Sequence, residues 1–141
     1  MPIRLVLADD HHLILDGLEN LFRMEGDFQV LARCTNGEET LKAVRQHGPG
    51  ILVLDIRMPG KDGLTIAREI QSEGLPTRIV LLTAELDEDQ LLEAVRLGVQ
   101  GIVLKEMAPQ LLVQCIRKVH NGEQWLERNS TQLALGKMLK R

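Results

Sequence analysis

The sequence is poor in aromatic residues, and this limits the ligands that it can bind. It contains two phenylalanines, one tryptophan and no tyrosine. Proteins that bind single-stranded nucleic acid commonly stack the bases on aromatic side chains. The chain has no such stacking platform, and we expect its core to consist of aliphatic side chains.

The sequence also lacks an excess of positive charge and a long hydrophobic run. Its 17 lysines and arginines are outnumbered by 20 aspartates and glutamates. Contacts to DNA phosphates need a basic face, which argues against DNA binding by these residues alone but not by a module beyond Arg141. No apolar run approaches the roughly 20 residues that span a bilayer, and residues 1–4 lead into a strand without a signal peptide. We therefore expect a cytoplasmic protein that does not bind membranes.

Cysteine is scarce as well. Cys34 and Cys115 lie in apolar segments and lack the spacing of metal ligands. We predict that both are reduced and buried, as is usual for a cytosolic protein. A chain of 141 residues fits one domain, and it can bury a core without disulfides or a structural metal.

Four apolar segments end in polar residues, and together they predict a parallel sheet. They cover residues 5–10, 51–55, 79–83 and 102–105. Continuous apolar runs are typical of strands that are buried on both faces. The carboxyl ends of parallel strands point the same way, and ligands bind in the crevice beyond them. We therefore expect five polar residues to meet at one edge of the sheet: Asp9, Asp10, Asp55, Thr83 and Lys105.

Strands and helices alternate along the rest of the chain. A further strand is predicted over residues 28–34, and helices over residues 12–25, 37–47, 64–73, 87–97 and 109–120. Right-handed crossovers put helices on both faces of the sheet. The prediction is an α/β fold, a doubly wound five-stranded parallel sheet in the flavodoxin-like order 2-1-3-4-5. This domain covers residues 1–122. Residues 123–141 are too short for another domain and are predicted to form a linker with a short amphipathic helix near its end.

Asp9, Asp10 and Asp55 form the first candidate site. They follow the first and third strands, which are neighbours in the proposed order. Three carboxylates so close together repel one another, and a divalent cation relieves the repulsion. Oxygen ligands without a nearby cysteine favour Mg²⁺ over zinc. The alternative is that Asp9 and Asp10 only cap the first helix, although capping needs one residue.

Thr83 and Lys105 form the second candidate site. A hydroxyl and an ammonium group on the far side of the carboxylates suit a phosphoryl group, whose transfer depends on positioning and charge neutralisation. Lys105 could pair with a phosphate oxygen or with Asp55. A carboxylate can act as the nucleophile and form an aspartyl-phosphate. Asp55 is the best candidate because it follows the central strand.

In these residues the chain resembles the receiver domain of bacterial two-component response regulators. The signature positions of that family match Asp9, Asp10, Asp55, Thr83 and Lys105, and its loop after the phosphorylated aspartate matches Met58-Pro59 and Asp62-Gly63. The sequences Leu104-Lys105-Glu106, Val119 to Gly122 and Trp125-Leu126 resemble the NarL/FixJ (LuxR-type) subfamily. In that subfamily a linker leads to a helix-turn-helix DNA-binding domain, which would follow the end of this chain.

The resemblance implies a role for each residue. Asp55 accepts a phosphoryl group from a histidine kinase. Asp10, Asp55 and the backbone carbonyl of Arg57 bind Mg²⁺ directly, and Asp9 binds it through water. Thr83 and Lys105 contact the phosphoryl oxygens, and Thr83 moves inward on phosphorylation.

The resemblance also implies what the domain does as a whole. The chain is a switch and not a turnover enzyme, it forms a homodimer on phosphorylation, and it regulates transcription through the DNA-binding domain. One position departs from the family. Where the family has tyrosine or phenylalanine three residues before the lysine, this chain has Ile102. Repacking of Ile102 or dimerisation would then have to carry the signal.

Two other functions fit parts of the pattern. A stand-alone receiver would signal by protein contact or relay phosphate, and the gene sequence beyond Arg141 would distinguish it. An aspartate-nucleophile phosphohydrolase typically has a second acid two residues after the nucleophile, where this chain has Arg57.

Four further side chains near these sites have simpler roles. His11 and His12 follow the acidic pair, but adjacent residues at a helix start point in different directions, so we expect exposed or capping roles and no joint metal binding. Arg57 and Glu85 each lie two residues beyond a site residue on neighbouring strands. We predict a partly exposed ion pair between them.

Overall fold

The computed structural model describes residues 2–107 and 109–126. Its centre is a parallel sheet in the order β2-β1-β3-β4-β5-β6. The strands are β1 (Ile3–Ala8), β2 (Phe28–Cys34), β3 (Ile51–Leu54), β4 (Arg78–Thr83), β5 (Gly101–Leu104) and β6 (Trp125–Leu126). The predicted order 2-1-3-4-5 is therefore confirmed, and β6 extends the sheet by one short edge strand.

Five helices connect the strands. They are α1 (His12–Glu25), α2 (Gly37–His47), α3 (Gly63–Ser72), α4 (Glu88–Arg96) and α5 (Pro109–His120). Asn36, Asp62 and Asp87 cap the starts of α2, α3 and α4, each accepting a hydrogen bond from the backbone N–H three residues on. Because these side chains satisfy a donor that the helix leaves unpaired, they fix where each helix begins. The predicted bounds of α3 and α4 differ from the observed bounds by one residue at each end.

The sheet is buried on both faces, as the continuous apolar runs predicted. Alternate residues of each strand point to opposite sides. Val6, Leu52 and Leu81 belong to one buried cluster, with side chains of α2, α3 and α4. Leu7 and Val53 belong to the other, with side chains of α1 and α5. The core is mainly aliphatic, and Phe22 is its one fully buried aromatic residue among those described.

Both cysteines lie in this core as thiols, as the sequence predicted. Burial disfavours the charged thiolate, and it raises the pKa of Cys34 to about 11 and that of Cys115 to about 12. Thiols that stay protonated at neutral pH are poor nucleophiles and poor metal ligands. The chemistry of the domain must therefore come from other residues.

Strand β6 is the element that the sequence did not predict. Trp125 and Leu126 pair with Gly101 and Ile102 of β5, and the N–H of Trp125 donates to the carbonyl of Gln100 at 2.8 Å. Two residues are too few to show any periodicity. The strand falls within the predicted linker, and the predicted helix near the chain's end lies outside the described residues. No described helix is long and apolar enough to span a membrane.

Candidate functional site

The carboxyl edge of the sheet holds its side chains in place through backbone hydrogen bonds. The N–H of Asp55 donates to the carbonyl of Ala8 at 3.0 Å, and the N–H of Lys105 donates to the carbonyl of Thr83 at 2.9 Å. The parallel ladder thus continues one residue beyond the ends of β3 and β5. Backbone groups fixed in this way give the side chains defined starting points.

Three carboxylates meet at this edge, as predicted. Asp9 and Asp55 are 2% and 4% exposed, while Asp10 lies at the rim. Ligand atoms from these three residues and from His11 all lie within 4.8 Å of one another. Carboxylates at this spacing are a strong local concentration of negative charge, because buried charges are poorly screened.

Lys105 lies among the carboxylates. Its Nζ is 2.7 Å from Oδ2 of Asp9 and 3.1 Å from Oδ2 of Asp55. Partial burial disfavours the charged ammonium, but the bonds to Asp9 and Asp55 outweigh it, so the pKa of Lys105 is raised. The sequence left a phosphate oxygen and Asp55 open as partners of Lys105, and it did not predict the shorter contact with Asp9. One lysine cannot neutralise three carboxylates, and the site keeps an excess of negative charge.

Thr83 lies at the end of β4, next to β3, and its hydroxyl bonds to its own loop and not to the carboxylates. Its side chain is buried, and its hydroxyl donates to the backbone carbonyl of Glu85 at 3.3 Å. The hydroxyl is therefore held by its own loop. To reach a phosphoryl group on Asp55 it would have to give up this bond and turn toward the carboxylates.

The loop after Asp55 packs tightly against α3. The N–H of Gly63 donates to the carbonyl of Ile56 at 2.7 Å. A Cβ atom at residue 63 would lie 2.4 Å from the backbone oxygen of Asp55. Only glycine permits this approach, so the Asp62-Gly63 pair noted in the sequence caps α3 and also supports the backbone of Asp55.

Arg57 and Glu85 form the predicted ion pair at the rim. Nη2 of Arg57 is 3.6 Å from Oε2 of Glu85, and the side chains are 75% and 79% exposed. The pair is more exposed than predicted, and solvent screens it strongly. The bond from Thr83 to the backbone of Glu85 ties this rim to the base of the site.

His11 joins the acidic cluster, which the sequence did not predict. Its Nδ1 lies 3.1 Å from Oδ1 of both Asp9 and Asp10. The ring is exposed, as expected, but His11 stands at the N-cap of α1 without a capping side-chain bond. The ring of His12 makes no hydrogen bond or ion pair with the described residues, so of the two histidines only His11 joins the group of possible ligand atoms among those residues.

Ile102 is part of the core at the position where the resemblance leads one to expect an aromatic ring. It is 1% exposed and belongs to the same buried cluster as Leu91 and Ala94 of α4. Its side chain therefore lies in the buried cluster to which α4 contributes. Any signal that passes through Ile102 must do so by repacking.

The donor set fits a hard divalent cation. Carboxylate oxygens are ligands that Mg²⁺ prefers, and the negative excess left by Lys105 favours a cation. Asp9, Asp10 and Asp55 would hold it, together with the backbone carbonyl that the resemblance assigns to Arg57.

Comparison with known proteins agrees with this geometry. The family model of the response regulator receiver domain matches residues 5–117. The oxygen regulatory protein NreC of Staphylococcus haemolyticus is 31% identical over 130 residues, which cover 92% of this chain and 60% of that protein. The chain thus spans about 60% of the length of this relative.

Two solved structures are also similar. A LuxR-family two-component response regulator from Aurantimonas sp. SI85-9A1 has a TM-score of 0.90 at 26% identity and covers 99% of each chain. A LuxR-family DNA-binding response regulator from Staphylococcus aureus has a TM-score of 0.81 at 31% identity, with 84% of this chain and 98% of that one covered. Sequence and fold therefore point to the same family.

Proposed function

Because the chain belongs to the family of response regulator receiver domains, we propose that it is a phosphorylation-controlled switch of a two-component system. Asp55 accepts the phosphoryl group from the phosphohistidine of a histidine kinase. The observation that carries the proposal is the position of Asp55. It is buried at the centre of the acidic cluster and contacts the ammonium group of Lys105 at 3.1 Å.

The transfer is a substitution at phosphorus. A carboxylate oxygen of Asp55 forms the new P–O bond while the P–N bond to the kinase histidine breaks, and the imidazole keeps the electron pair and takes up a proton. Bound Mg²⁺ supplies positive charge that offsets the repulsion between the carboxylates and the incoming phosphoryl group. Lys105 supplies a second positive charge and can exchange its bond to Asp55 for one to a phosphoryl oxygen.

Thr83 converts this chemistry into a conformational change. Its hydroxyl leaves the carbonyl of Glu85, now 3.3 Å away, and donates to a phosphoryl oxygen. The freed loop leads directly into α4, whose residues Leu91 and Ala94 share a buried cluster with Ile102. Movement of this loop would therefore alter the surface around α4 and β5 without an aromatic switch residue.

The output is transcription regulation through a C-terminal DNA-binding domain. This proposal rests on the likeness to LuxR-family regulators and on the share of the relative that the chain covers. The switch acts in the cytoplasm, does not turn over substrate, and pairs with a second copy when phosphorylated, since C₂ symmetry is the usual form of such an assembly. The alternative, a stand-alone receiver, would have no coding sequence for a DNA-binding domain beyond Arg141.

Intact mass spectrometry tests the phosphorylation. Acetyl phosphate with Mg²⁺ should add one phosphoryl group to the chain, and EDTA should prevent it. Asp55→Asn should abolish the addition, whereas Asp27→Asn, a change at the opposite edge of the sheet, should leave it intact. A full mass shift in Asp55→Asn would contradict the proposal. Sedimentation of the same samples should show dimers that strengthen on phosphorylation.

A further inference from the structure

The ring of His11 is placed where a ligand of the acidic site would be. Its Nδ1 is 3.1 Å from Oδ1 of Asp9 and 3.1 Å from Oδ1 of Asp10. The backbone N–H of His11 also donates to Oδ1 of Asp9, at 2.9 Å. The chain therefore turns around the Asp9 carboxylate, and three consecutive side chains converge on one point.

The spacing of these atoms suits shared coordination. Two ligands at right angles, each about 2.1 Å from a metal ion, lie roughly 3.0 Å apart. The separation of 3.1 Å between Nδ1 of His11 and Oδ1 of Asp10, a direct ligand of the proposed site, matches that distance. The same distance allows a hydrogen bond when Nδ1 carries the proton. With the proton on Nε2, the lone pair of Nδ1 is available to a cation.

Neither core packing nor helix capping accounts for the position of this ring. The side chain of His11 is 66% exposed, so it contributes little to the core. It makes no capping hydrogen bond at the start of α1. Water around the exposed ring can solvate the Nε2 proton that metal binding through Nδ1 requires.

The neighbouring histidine offers an internal contrast. His12 is also exposed and lies in the first turn of α1. Its ring makes no hydrogen bond or ion pair with the residues described, although its backbone carbonyl accepts a hydrogen bond from Arg33. The contrast shows that proximity in sequence to Asp10 does not by itself bring a ring into the site.

We propose that His11 is a nitrogen ligand of the metal site formed with Asp10 and Asp55, and that it shifts the preference of the site toward divalent transition ions. The proposal rests on the metal site of the proposed function. Carboxylate and water ligands suit Mg²⁺, whereas imidazole suits ions such as Zn²⁺. A mixed nitrogen and oxygen set therefore gives Zn²⁺ one more good ligand than it gives Mg²⁺.

Direct detection of the nitrogen ligand is the first test. The untagged chain is loaded with Mn²⁺, and electron spin echo envelope modulation is recorded. Wild type should show ¹⁴N modulation from a bound imidazole. His11→Gln should lose it, and His12→Gln should keep it. Absence of the modulation in Mn²⁺-loaded wild type would overturn the proposal without the need for any variant.

Calorimetric titration with Mg²⁺ alone and with Zn²⁺ alone is the second test. Removal of outer-shell partners already lowers metal affinity by about 10–100-fold, so His11→Gln should lower Zn²⁺ affinity by at least about tenfold. Its Mg²⁺ affinity should change much less, and His12→Gln should match wild type for both ions. The buried thiols of Cys34 and Cys115 do not compete for Zn²⁺ in the folded chain.

The outcomes separate this inference from the proposed function. Equal losses of Mg²⁺ and Zn²⁺ affinity in His11→Gln, or an equal effect of His12→Gln, would overturn the ligand role while leaving the phosphorylation switch intact. Failure of wild type to bind Mg²⁺ at all would instead contradict the metal site of the proposed function. Circular dichroism of each variant confirms that the fold is retained.

Discussion

Each end of the sheet has one cationic side chain between two carboxylates, but the two clusters differ in burial. At the carboxyl edge Lys105 contacts Asp9 and Asp55, which are almost fully buried. At the opposite end Arg117 binds Asp27 through two hydrogen bonds, of 2.9 and 3.1 Å, and Glu25 through a third, of 3.0 Å.

The two clusters differ in their charge balance and in their exposure to solvent. The side chains of Glu25 and Asp27 are 33% and 45% exposed, and the guanidinium of Arg117 also stacks over Phe28 at 5.3 Å. Water solvates that cluster, and the planar guanidinium matches its partners. At the carboxyl edge a third carboxylate, Asp10, adds negative charge beyond the two carboxylates that Lys105 contacts. Asp10 contacts Nδ1 of His11 at 3.1 Å, and a cation from solution would offset the remaining charge. Such stored repulsion lowers stability and persists where function needs it. The comparison therefore separates a structural cluster from a functional one.

Removal of the lysine should have the largest effect on function. We expect Lys105→Ala to fold but to lose the change in oligomeric state on phosphorylation, because the charge that links Asp55 to the phosphoryl oxygens is gone. Its Mg²⁺ affinity should change little or rise, since three carboxylates are then uncompensated. Sedimentation before and after acetyl phosphate treatment, together with Mg²⁺ titration, measures both effects.

Lys61→Ala is the matched control for that experiment. Lys61 also pairs with a carboxylate, 2.7 Å from Glu69, but lies outside the acidic cluster. The control should dimerise on phosphorylation as wild type does. Normal dimerisation of Lys105→Ala would contradict the role assigned to this lysine.

Neutralisation of one carboxylate in each cluster should change stability in opposite directions. Asp55→Asn relieves repulsion and should raise the free energy of unfolding in EDTA by roughly 0.5–2 kcal/mol. Asp27→Asn removes an acceptor from Arg117 and should lower it slightly. Urea denaturation with EDTA and with Mg²⁺ provides the comparison, and the gain in Asp55→Asn should shrink when Mg²⁺ stabilises wild type. Destabilisation of Asp55→Asn in EDTA would show that the carboxyl edge is balanced after all.

The pH dependence of stability sharpens the description of the exposed cluster. The hydrogen bonds from Arg117 hold the pKa of Asp27 below its ordinary value. A depressed carboxyl pKa contributes stability above the unfolded pKa of about 3.9, and the contribution is lost as pH falls through the folded value. Arg117→Ala should therefore be less stable than wild type at pH 7, and the two urea midpoints should converge below about pH 4. A constant difference at every pH would assign the effect to stacking on Phe28.

Much of the fold, and the set of residues at the carboxyl edge of the sheet, could be predicted from the sequence because both depend on local patterns. A continuous apolar run followed by Asp55 or Lys105 predicts a buried strand that ends at a polar residue. The parallel arrangement then brings those residues together whatever their separation along the chain. This is why Asp9, Asp10 and Asp55 could be grouped correctly.

The remaining features of the site depend on side-chain orientations, which local sequence patterns do not determine. The bond from Thr83 to Glu85 and the approach of His11 to Asp9 are set by loop geometry. Lys105 has four rotatable side-chain bonds, so its choice of Asp9 as well as Asp55 follows from the shape of the site. Two-residue β6 has no pattern to detect and forms because β5 offers an unpaired edge.

The smallest expected effect concerns the rim of the functional cluster. Arg57 and Glu85 lie 3.6 Å apart over the site, and we predict that they hinder the water that attacks the aspartyl-phosphate. Replacing both with alanine should shorten the lifetime of the phosphoryl group. An exposed pair is worth about 1 kcal/mol or less, so the rate should rise by no more than roughly fivefold. The melting temperature should barely move.

The lifetime is measured by intact mass spectrometry after acetyl phosphate is removed. The single variants Arg57→Ala and Glu85→Ala complete a double-mutant cycle, which isolates the interaction from the two separate side chains. Arg45→Ala with Glu73→Ala removes another surface ion pair, between α2 and the end of α3, and should leave the lifetime unchanged. If the Arg57 and Glu85 variants instead act additively or not at all, the two side chains extend into solvent independently. The ion pair would then have no part in controlling the access of water to the aspartyl-phosphate.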